Sequence, residues 1–352
     1  MKLEDLGYSA FFESNRTALG LGNYGVARVI AEYKEAYRVK NITGECLAKI
    51  TGRQMFKAKS REDYPCVGDW VAITARNTAE AVIHKLLPRQ TILRRKYSNK
   101  SGAQVIGANI DAAFIIESMD RDYNLNRFER YFAMVTEGNI QPVIVLNKID
   151  LISEAELDLK MAQLKDRFKD IDVIPISALT SKGLAGLMAY IAGGKTYCFL
   201  GSSGVGKSSL INKLLGTDNI KTNVINIITG GGRHTTASRK MYFLANGGMV
   251  IDNPGMKEIG ITDADAGIDN IFEAIVALSI KCKYKDCSHT NESKCAVLEA
   301  LKTGELDKDK YANYVRLRKE AREYKMTEIE KGRSGRKFGR SVRQTQQKQR
   351  KK

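Results

Sequence analysis

Short runs that mix apolar and polar positions occupy the first quarter of the chain. Between residues 20 and 90 they read YGVARVIAEY, AYRVKN, GECLAKITGR, VGDWVAIT and AEAVIHKLLP. Turn residues separate them and a helical period is missing, which predicts five strands of a small β-barrel. A barrel of the oligonucleotide-binding (OB) type fits the length, and a small sandwich is the alternative. We expect Trp70, the only tryptophan, to be a core residue of the fourth strand.

A different pattern begins near residue 110. Apolar runs read as strands there, namely AAFIIES, QPVIVLNK, DVIPIS, YCFLG and MYFLANGGMVID, and segments such as 126–136 and 153–168 read as helices. Strands that alternate with helices predict an α/β domain with a mainly parallel sheet. Further on, residues 265–301 read as helical around a cysteine-rich insert, and residues 306–331 as a charged helix.

Composition excludes several classes of protein. The 352 residues are 43% hydrophobic and 28% charged, which is enough for two or three folded domains. We expect neither a transmembrane helix nor a signal peptide, because the sequence has no apolar run of about 18 residues and no apolar N-terminal stretch. Six cysteines are too few for a disulfide scaffold, and three of them lie close together near one histidine.

Positive charge is concentrated at the C-terminal end. The 57 Lys and Arg residues against 40 Asp and Glu residues give a net charge of +17, and residues 331–352 contribute ten basic residues and no acidic one. Such a tail cannot build a core, so we expect it to be disordered when free. Nothing amphipathic or lipidated accompanies it, which favours nucleic acid over a membrane as its partner. A solubilising tail is the alternative.

A phosphate-binding loop is the clearest motif. Residues 201–208 read GSSGVGKS, between the apolar run YCFL and the helical run SLINKLLG. The pattern G-x-x-x-x-G-K-S at a turn from strand to helix lets backbone N–H groups surround phosphate oxygens. We expect Lys207 to reach the β- and γ-phosphates and the Ser208 hydroxyl to bind Mg²⁺. A chance match in a glycine-rich turn is the alternative.

Two further loops indicate that the base is guanine. NKID at 147–150 follows the strand PVIVL, and SAL at 177–179 follows VIPI. In GTPases the aspartate of NKxD accepts hydrogen bonds from N1–H and the exocyclic amine of guanine, a pair of donors that adenine lacks. The lysine stem packs on the ring, and the SAL loop presents a backbone N–H to the guanine carbonyl. All three loops follow strand ends, where open α/β sheets bind ligands.

The order of these motifs is unusual. Ordinary GTPases carry the phosphate loop first, whereas here NKID and SAL precede it and DNPG at 252–255 follows it. A circular permutation keeps every contact if the original termini lie close together. It also places the segment after DNPG next to a new C-terminal domain, so that a partner bound there could influence this segment.

With these motifs the chain resembles the RsgA (YjeQ/YloQ) family of circularly permuted GTPases. The matching strings are VGDWV, NKID, SAL, GSSGVGKSSLIN, GRHTT, DNPG and the Cys/His cluster, spread over nearly the whole chain. The resemblance implies an OB-type barrel that contacts ribosomal RNA and a GTPase stimulated by the small (30S) ribosomal subunit, with a role in late maturation of that subunit. We expect the barrel at 1–98, the permuted GTPase domain at 99–263, a helical zinc-binding domain at 264–330 and a disordered basic tail at 331–352.

The segment GGGRHTTASRK is expected to hold the first switch. Thr235 and Thr236 are both candidates to complete the Mg²⁺ shell when the γ-phosphate is present, and we favour Thr236. Asp252 is expected to hold the same ion, and the N–H of Gly255 to donate to the γ-phosphate.

Hydrolysis needs a residue that orients water. Met256 stands where Ras-like enzymes have a glutamine, and a thioether cannot perform this role, so we expect slow intrinsic hydrolysis. His234 is the candidate instead, and the resemblance supports it; an ordinary surface histidine is the alternative. Gly204 stands where some relatives carry the asparagine that holds K⁺, so K⁺ dependence is not predicted.

A metal site is the last motif. Cys282, Cys287, His289 and Cys295 give C-x₄-C-x-H-x₅-C, four ligands suited to one structural Zn²⁺ per chain. Unligated cysteines are the alternative. The surrounding lysines indicate a surface that faces phosphate, and they are Lys281, Lys283, Lys285 and Lys294. The other cysteines, Cys46, Cys66 and Cys198, read as small core residues.

The candidate catalytic residues are therefore Lys207, His234 and Thr236. The candidate nucleotide-binding residues are Asn147, Lys148, Asp150, Ser177, Ala178, Gly201, Ser202, Ser203, Gly204, Val205, Gly206, Lys207, Ser208, Ser209, Thr235, Thr236, Asp252 and Gly255, with Ser208, Thr236 and Asp252 also holding Mg²⁺. The expected partners are GTP, GDP, the 30S subunit and its 16S rRNA, with no membrane, for a monomer in the cytoplasm. Two alternatives are an RNA-binding assembly factor that holds GTP without hydrolysis, and a GTPase that acts on another RNA such as a tRNA.

Overall fold

A computed structural model describes residues 1–33, 36–58, 60–96, 103–120, 123–216, 239–252 and 264–326. The chain forms two compact units, one made of residues 1–94 and 104–259 and the other of residues 95–103 and 260–352. Among the described residues, no helix combines the length and the apolar character that a membrane crossing requires.

A five-stranded barrel follows the N-terminal helix in the first unit. Its elements are α1 (Ala10–Ala18), β1 (Gly25–Glu32), β2 (Tyr37–Asn41), β3 (Gly44–Ile50), α2 (Gly52–Lys57), β4 (Trp70–Ala75) and β5 (Glu80–Leu86). The strand order is β1-β2-β3-β5-β4, and β4 pairs back to β1, which closes the barrel. The predicted barrel is confirmed over the predicted alternative of a sandwich. The short helix α2 is an element that the strand pattern did not predict.

Trp70 is fully buried, as expected for a core residue, but its neighbours come from the N-terminal segment. Its ring lies 4.7 Å from that of Tyr8 and 5.9 Å from that of Phe12. The interior of the barrel is a separate cluster that includes Val29 and Ile83. The tryptophan side chain therefore attaches α1 to the outside of the barrel.

The rest of the first unit is an α/β layer. Its elements are β6 (Ile92–Lys96) and β7 (Ala103–Ala108), of which residues 95, 96 and 103 belong to the second unit, and β8 (Ala112–Ser118), α3 (Leu125–Glu137), β9 (Gln141–Asn147), α4 (Glu154–Arg167), β10 (Val173–Pro175), α5 (Leu184–Tyr190), β11 (Thr196–Leu200), α6 (Lys207–Leu215), β12 (Lys240–Phe243) and β13 (Met249–Asp252). The sheet order is β10-β9-β8-β11-β13-β12, parallel except for β12, while β6 and β7 form a separate two-stranded sheet.

One apolar run of the sequence forms two strands. MYFLANGGMVID is divided between β12 and β13, which pair as an antiparallel hairpin. The turn between them is made by Gly247, which has a φ of 82°, and by Asn246, whose side chain accepts a hydrogen bond from the N–H of Gly248 at 3.1 Å. Asparagine and glycine are the residues that such turns favour.

Strand β1 also links the barrel to the α/β layer. Ala31 pairs with Lys240 of β12, and next to this pair Arg239 lies 3.3 Å from the Glu32 carboxylate. On the same strand the Arg28 guanidinium is buried and donates to the carbonyl oxygens of Leu6, Gly68 and Asn109. Burial lowers the pKa of Arg28 to about 10.

The second unit is helical. It contains α7 (Asp265–Ile271), α8 (Glu273–Ser279), α9 (Ala296–Thr303) and a helix over residues 308–326, here called α10. Phe272 packs against Tyr314 at 5.4 Å, and Arg318 pairs with Asp265 at 3.0 Å. The helical arrangement around a cysteine-rich insert is thus present between α8 and α9. The tail predicted at 331–352 lies outside the described residues.

Candidate functional site

Three predicted nucleotide loops leave one edge of the parallel sheet. Strand β11 leads into the phosphate loop at 201–208, β9 into NKID at 147–150 and β10 into SAL at 177–179. These strands are parallel and lie in the order β10-β9-β8-β11, so their carboxyl ends face the same side. Motifs in a permuted order along the sequence therefore meet in one place.

Glycine is required at two positions of the phosphate loop. Gly201 and Gly206 have φ values of 146° and 97°, which disfavour any side chain. A Cβ on Gly201 would lie 2.3 Å from the carbonyl oxygen of Ile116, and a Cβ on Gly206 would lie 2.3 Å from the side-chain nitrogen of Asn147. The backbone of the phosphate loop therefore packs directly against strand β8 and against Asn147 of the base loop, with no room for a side chain at either glycine.

Lys207 is the first residue of α6, and its ammonium group turns back into the loop. Its Nζ donates to the carbonyl oxygens of Gly201 at 2.6 Å and Ser202 at 2.5 Å. Burial lowers the pKa of Lys207 to about 8, while the negative charges of Asp252 and Glu117 act in the opposite direction. The lysine therefore places a half-buried positive charge where the motif predicts the β- and γ-phosphates.

The side-chain amide of Asn147 connects the phosphate loop to both base loops. Its nitrogen donates to the carbonyl oxygen of Val205 at 2.8 Å, and its oxygen accepts from the N–H of Ala178 at 3.0 Å. The residue is 1% exposed, so both bonds are shielded from water. One amide thus fixes the spacing of three segments that are far apart in sequence.

The two base loops are ordered by local contacts. Lys148 has a left-handed backbone, with a φ of 64°, and its Nζ lies 2.9 Å from the Asp120 carboxylate. The Asp150 side chain is exposed on the short helical turn that follows. In the SAL loop the Ser177 hydroxyl oxygen accepts from the N–H of Thr180 at 3.0 Å.

Asp252 ends β13, the strand next to β11. Burial raises the pKa of Asp252, and the nearby Lys207 ammonium lowers it. The pairing of Ile251 with Cys198 places this carboxylate beside the strand that leads into the phosphate loop. The rest of DNPG, including Gly255, lies outside the described residues, as do Met256 and the candidates His234, Thr235 and Thr236.

Comparisons with known proteins agree with this arrangement. The family model described as RsgA GTPase matches residues 86–262. A small ribosomal subunit biogenesis GTPase RsgA 2 from Lactiplantibacillus plantarum is 38% identical over 84% of this chain and 83% of the relative, and the RsgA of Opitutus terrae is 37% identical over 91% and 90%. The chain belongs to the RsgA GTPase family.

Solved structures extend the likeness to the fold. The crystal structure of YjeQ from Thermotoga maritima gives a TM-score of 0.61 with 26% identity, and covers 83% of this chain and 96% of that chain. YloQ, described as a circularly permuted GTPase, has the same TM-score over 85% and 96%, at 23% identity. The predicted combination of an OB-type barrel, a circularly permuted GTPase domain and a helical C-terminal region with a Cys/His cluster is confirmed.

Glu117 is a residue of this RsgA-family site that the sequence analysis missed. Its carboxylate is fully buried at the end of β8, 3.1 Å from the Arg127 guanidinium. Tyr131, on the same helix as Arg127, forms a side-chain hydrogen bond with Ser202 of the phosphate loop, and burial raises the pKa of Tyr131 to about 12. The signal was the single charged residue in the otherwise apolar run AAFIIES.

The metal cluster predicted for the second unit is assembled. One ligand atom from each of Cys282, Cys287, His289 and Cys295 lies within 4.8 Å of all the others. The sulfurs of Cys282 and Cys295 lie 3.8 Å apart, and His289 Nδ1 lies 3.4 Å from the Cys295 sulfur. Four thiolate and imidazole ligands at about 2.0–2.3 Å from a tetrahedral Zn²⁺ are separated by similar distances. The cluster can therefore bind a metal ion.

The surroundings of the cluster hold its ligands in place. The Tyr311 hydroxyl donates to the carbonyl oxygen of His289 at 2.6 Å, and the N–H of Leu298 donates to the Cys295 sulfur at 3.5 Å. Burial lowers the pKa of His289, which favours the neutral imidazole that binds metals. The other three cysteines lie outside the cluster. Cys66 and Cys198 are buried, as expected for core residues, whereas Cys46 is only half-buried.

Proposed function

We propose that this protein is a GTP hydrolase that binds the small (30S) ribosomal subunit, assists its late maturation and is stimulated by it. The relatives from L. plantarum and O. terrae carry the name of small ribosomal subunit biogenesis GTPases. The observation that carries the proposal is the Asn147 amide, which joins the NKID, SAL and phosphate loops. Because these loops read guanine and bind phosphate in GTPases, their junction supports one GTP site.

The nucleotide is bound in two parts. Asp150 accepts from the guanine N1–H and exocyclic amine, the Lys148 stem packs on the ring, and the backbone of Ser177 and Ala178 faces the guanine carbonyl. The phosphates lie in the loop of residues 201–209, where Lys207 exchanges its two carbonyl partners for phosphate oxygens. The exposed position of Asp150 and the half-buried position of Lys207 fit a base at the rim and phosphates further inside.

Hydrolysis is the attack of water on the γ-phosphorus, with cleavage of its bond to the β,γ-bridging oxygen and release of GDP and phosphate. The Lys207 charge stabilises the phosphate oxygens in the transition state. His234 orients the water, because Met256 cannot. Ser208, Asp252 and Thr236, or Thr235 in its place, supply hard oxygen ligands of the kind Mg²⁺ prefers, and a bound Mg²⁺ neutralises phosphate charge.

The second unit holds a structural metal and contacts ribosomal RNA. Cys282, Cys287, His289 and Cys295 bind one structural Zn²⁺, since all four positions are filled by protein ligands. Beside the cluster lies a groove of about 1090 Å³ whose lining includes Lys285, Lys319 and Arg322. These basic residues, together with the net charge of +17 of the whole chain, support contact with the phosphates of the 16S rRNA. We infer a monomer that works in the cytoplasm, where it meets ribosomal subunits.

Multiple-turnover GTP hydrolysis, measured with increasing amounts of purified 30S subunits, tests the proposal. We expect the protein alone to release phosphate slowly and the subunit to raise this rate. The rise should be absent from the Lys207→Ala variant and strongly reduced in His234→Ala. GTP binding without turnover would favour the non-catalytic assembly factor, for which Met256 is the specific observation. Stimulation by tRNA instead of the subunit would favour the alternative of a GTPase that acts on another RNA.

A further inference from the structure

The ammonium group of the base-loop lysine is already held by a partner outside the three nucleotide loops. Lys148 Nζ donates to Asp120 Oδ2 at 2.9 Å, and Asp120 follows strand β8, 28 residues earlier in the chain. Both side chains are about one third exposed, at 33% and 34%. The pair therefore lies at the rim of the site, where the base of a nucleotide enters.

The carboxylate of Asp120 is fixed relative to the base loop. Its second oxygen, Oδ1, accepts a hydrogen bond from the Ser118 hydroxyl at 2.8 Å. Ser118 is the register partner of Asn147, and the N–H of Met119 donates to the carbonyl oxygen of Asn147 at 2.9 Å. The end of β8 is consequently attached to the backbone immediately before Lys148, and the carboxylate moves with that backbone.

The lysine needs such a partner for two reasons. Its left-handed backbone, with a φ of 64°, is unfavourable for a residue with a Cβ and persists only when neighbouring groups hold it. A free lysine side chain also samples many rotamers, and a ligand that packs on its stem must restrict them. An ion pair this exposed adds little to folding stability, so the expected effect is on binding.

We propose that Asp120 is a positioning residue for base recognition: it holds the Lys148 stem in the orientation in which the stem forms one face of the guanine slot. This inference rests on the proposed function, because it assigns the slot to guanine. Asp120 makes no contact with the phosphates in this arrangement. Asp120 thus acts on the affinity for the base and leaves the phosphate loop unchanged.

The test compares Asp120→Asn with Asp120→Glu and with a matched control, Glu154→Gln. Glu154 forms an exposed ion pair with Lys182 at 3.2 Å, so its variant removes the same charge near the SAL loop without touching Lys148. Affinities for GDP and for inorganic tripolyphosphate, a ligand without a base, are measured for each folded protein. We expect Asp120→Asn to weaken GDP binding about fivefold, Asp120→Glu to recover part of this loss, and tripolyphosphate binding to match that of the control.

A double-mutant cycle separates positioning from a general structural effect. In a Lys148→Ala background, Asp120→Asn is expected to cause no further loss of GDP affinity, because Asp120 acts through the lysine. Equal losses for GDP and tripolyphosphate, or the same fivefold loss in both backgrounds, would overturn the inference. GDP binding by Asp120→Asn equal to that of the wild type would also overturn it and leave the proposed GTPase intact, whereas failure of the wild-type protein to bind GDP would contradict the proposed function itself.

Discussion

The side-chain nitrogen of Asn147 donates to the carbonyl oxygen of Val205, 58 residues further along the chain, at 2.8 Å. The same amide accepts from the N–H of Ala178, so its two hydrogen bonds join the end of β9 to both the phosphate loop and the SAL loop. Circular permutation moves the phosphate loop to the far side of NKID in the sequence, and this amide holds the two together in space.

Asn147→Ala is expected to lower both stability and nucleotide affinity. The variant leaves a buried carbonyl and a buried N–H without partners, which costs about 1–3 kcal/mol of unfolding free energy. GTP affinity falls about tenfold or more, because the loops lose their fixed spacing. Denaturant unfolding and GTP titration measure the two effects.

Asn246 provides the matched control for this prediction. Its side chain also bridges two backbone segments, donating to the carbonyl oxygen of Ile191 at 2.8 Å and accepting from Gly248, but it lies in the β12–β13 turn. Because Asn246 is exposed, water can replace its lost hydrogen bonds, so we expect Asn246→Ala to lose less stability than Asn147→Ala and to keep its GTP affinity. Equal loss of affinity in both variants would contradict the role given to Asn147.

Gly206→Ala is expected to disturb the same junction from the other side. The new methyl group would lie 2.3 Å from the Asn147 side-chain nitrogen and must displace it. Gly216 is the control, because its φ of 63° is also left-handed but no atom lies within 4 Å of a Cβ there. Gly216→Ala should cost about 1–2 kcal/mol from backbone strain alone. Gly206→Ala should cost clearly more in denaturant unfolding, and similar values for the two would count against a direct collision.

Loss of one cluster cysteine is expected to release the metal and open the segment around it. For Cys295→Ser we predict that metal content, measured by elemental analysis, falls from about one zinc per chain to near zero. The lysines at 281, 283 and 285 then become sites of rapid tryptic cleavage. Cys46→Ser changes a half-buried thiol outside the cluster and should keep both the metal and the protection. Full metal content in the Cys295→Ser protein would contradict the ligand assignment.

Glu32→Gln is expected to reduce the stimulation of GTP hydrolysis by 30S subunits, because it removes an ion pair between the barrel and the GTPase site. The Glu32 carboxylate of β1 lies 3.3 Å from Arg239, which comes three residues after the candidate switch residue Thr236 in sequence. Basal hydrolysis should stay within about twofold, because this half-buried ion pair lies outside the predicted nucleotide-binding residues, while stimulation by 30S subunits decreases several-fold. Glu80→Gln, which removes an exposed charge at the start of β5, serves as the control in the same turnover assay.

Local patterns predicted most of the fold. The alternating runs gave the five barrel strands, and the apolar runs before NKID, SAL and the phosphate loop gave the strands that position them, because strand period and turn residues are encoded locally. Helix α2 and the β12–β13 turn were missed. Helix α2 begins at the end of the run GECLAKITGR and continues into residues that no predicted element covers, whereas the turn occupies a few residues inside MYFLANGGMVID.

The residues that sequence analysis missed in the site depend on distant partners. Glu117 reads as the polar end of a strand, and only the packing of α3 brings it to Arg127. Asp120 stands 28 residues before Lys148, and their contact exists because β8 and β9 are neighbours in the sheet. Motif spacing identifies groups that touch the nucleotide, whereas the groups that orient them follow from tertiary packing.

The buried Arg28 side chain limits how this protein can be divided. Its three backbone acceptors come from the N-terminal segment, the loop before β4 and the turn before β8. A fragment that ends after the barrel would lose the Asn109 acceptor and leave a guanidinium N–H facing solvent or apolar surface. Gene fusions or domain exchanges that cut between the barrel and the nucleotide layer are therefore disfavoured, because the exchanged parts would have to supply a new acceptor for this buried charge.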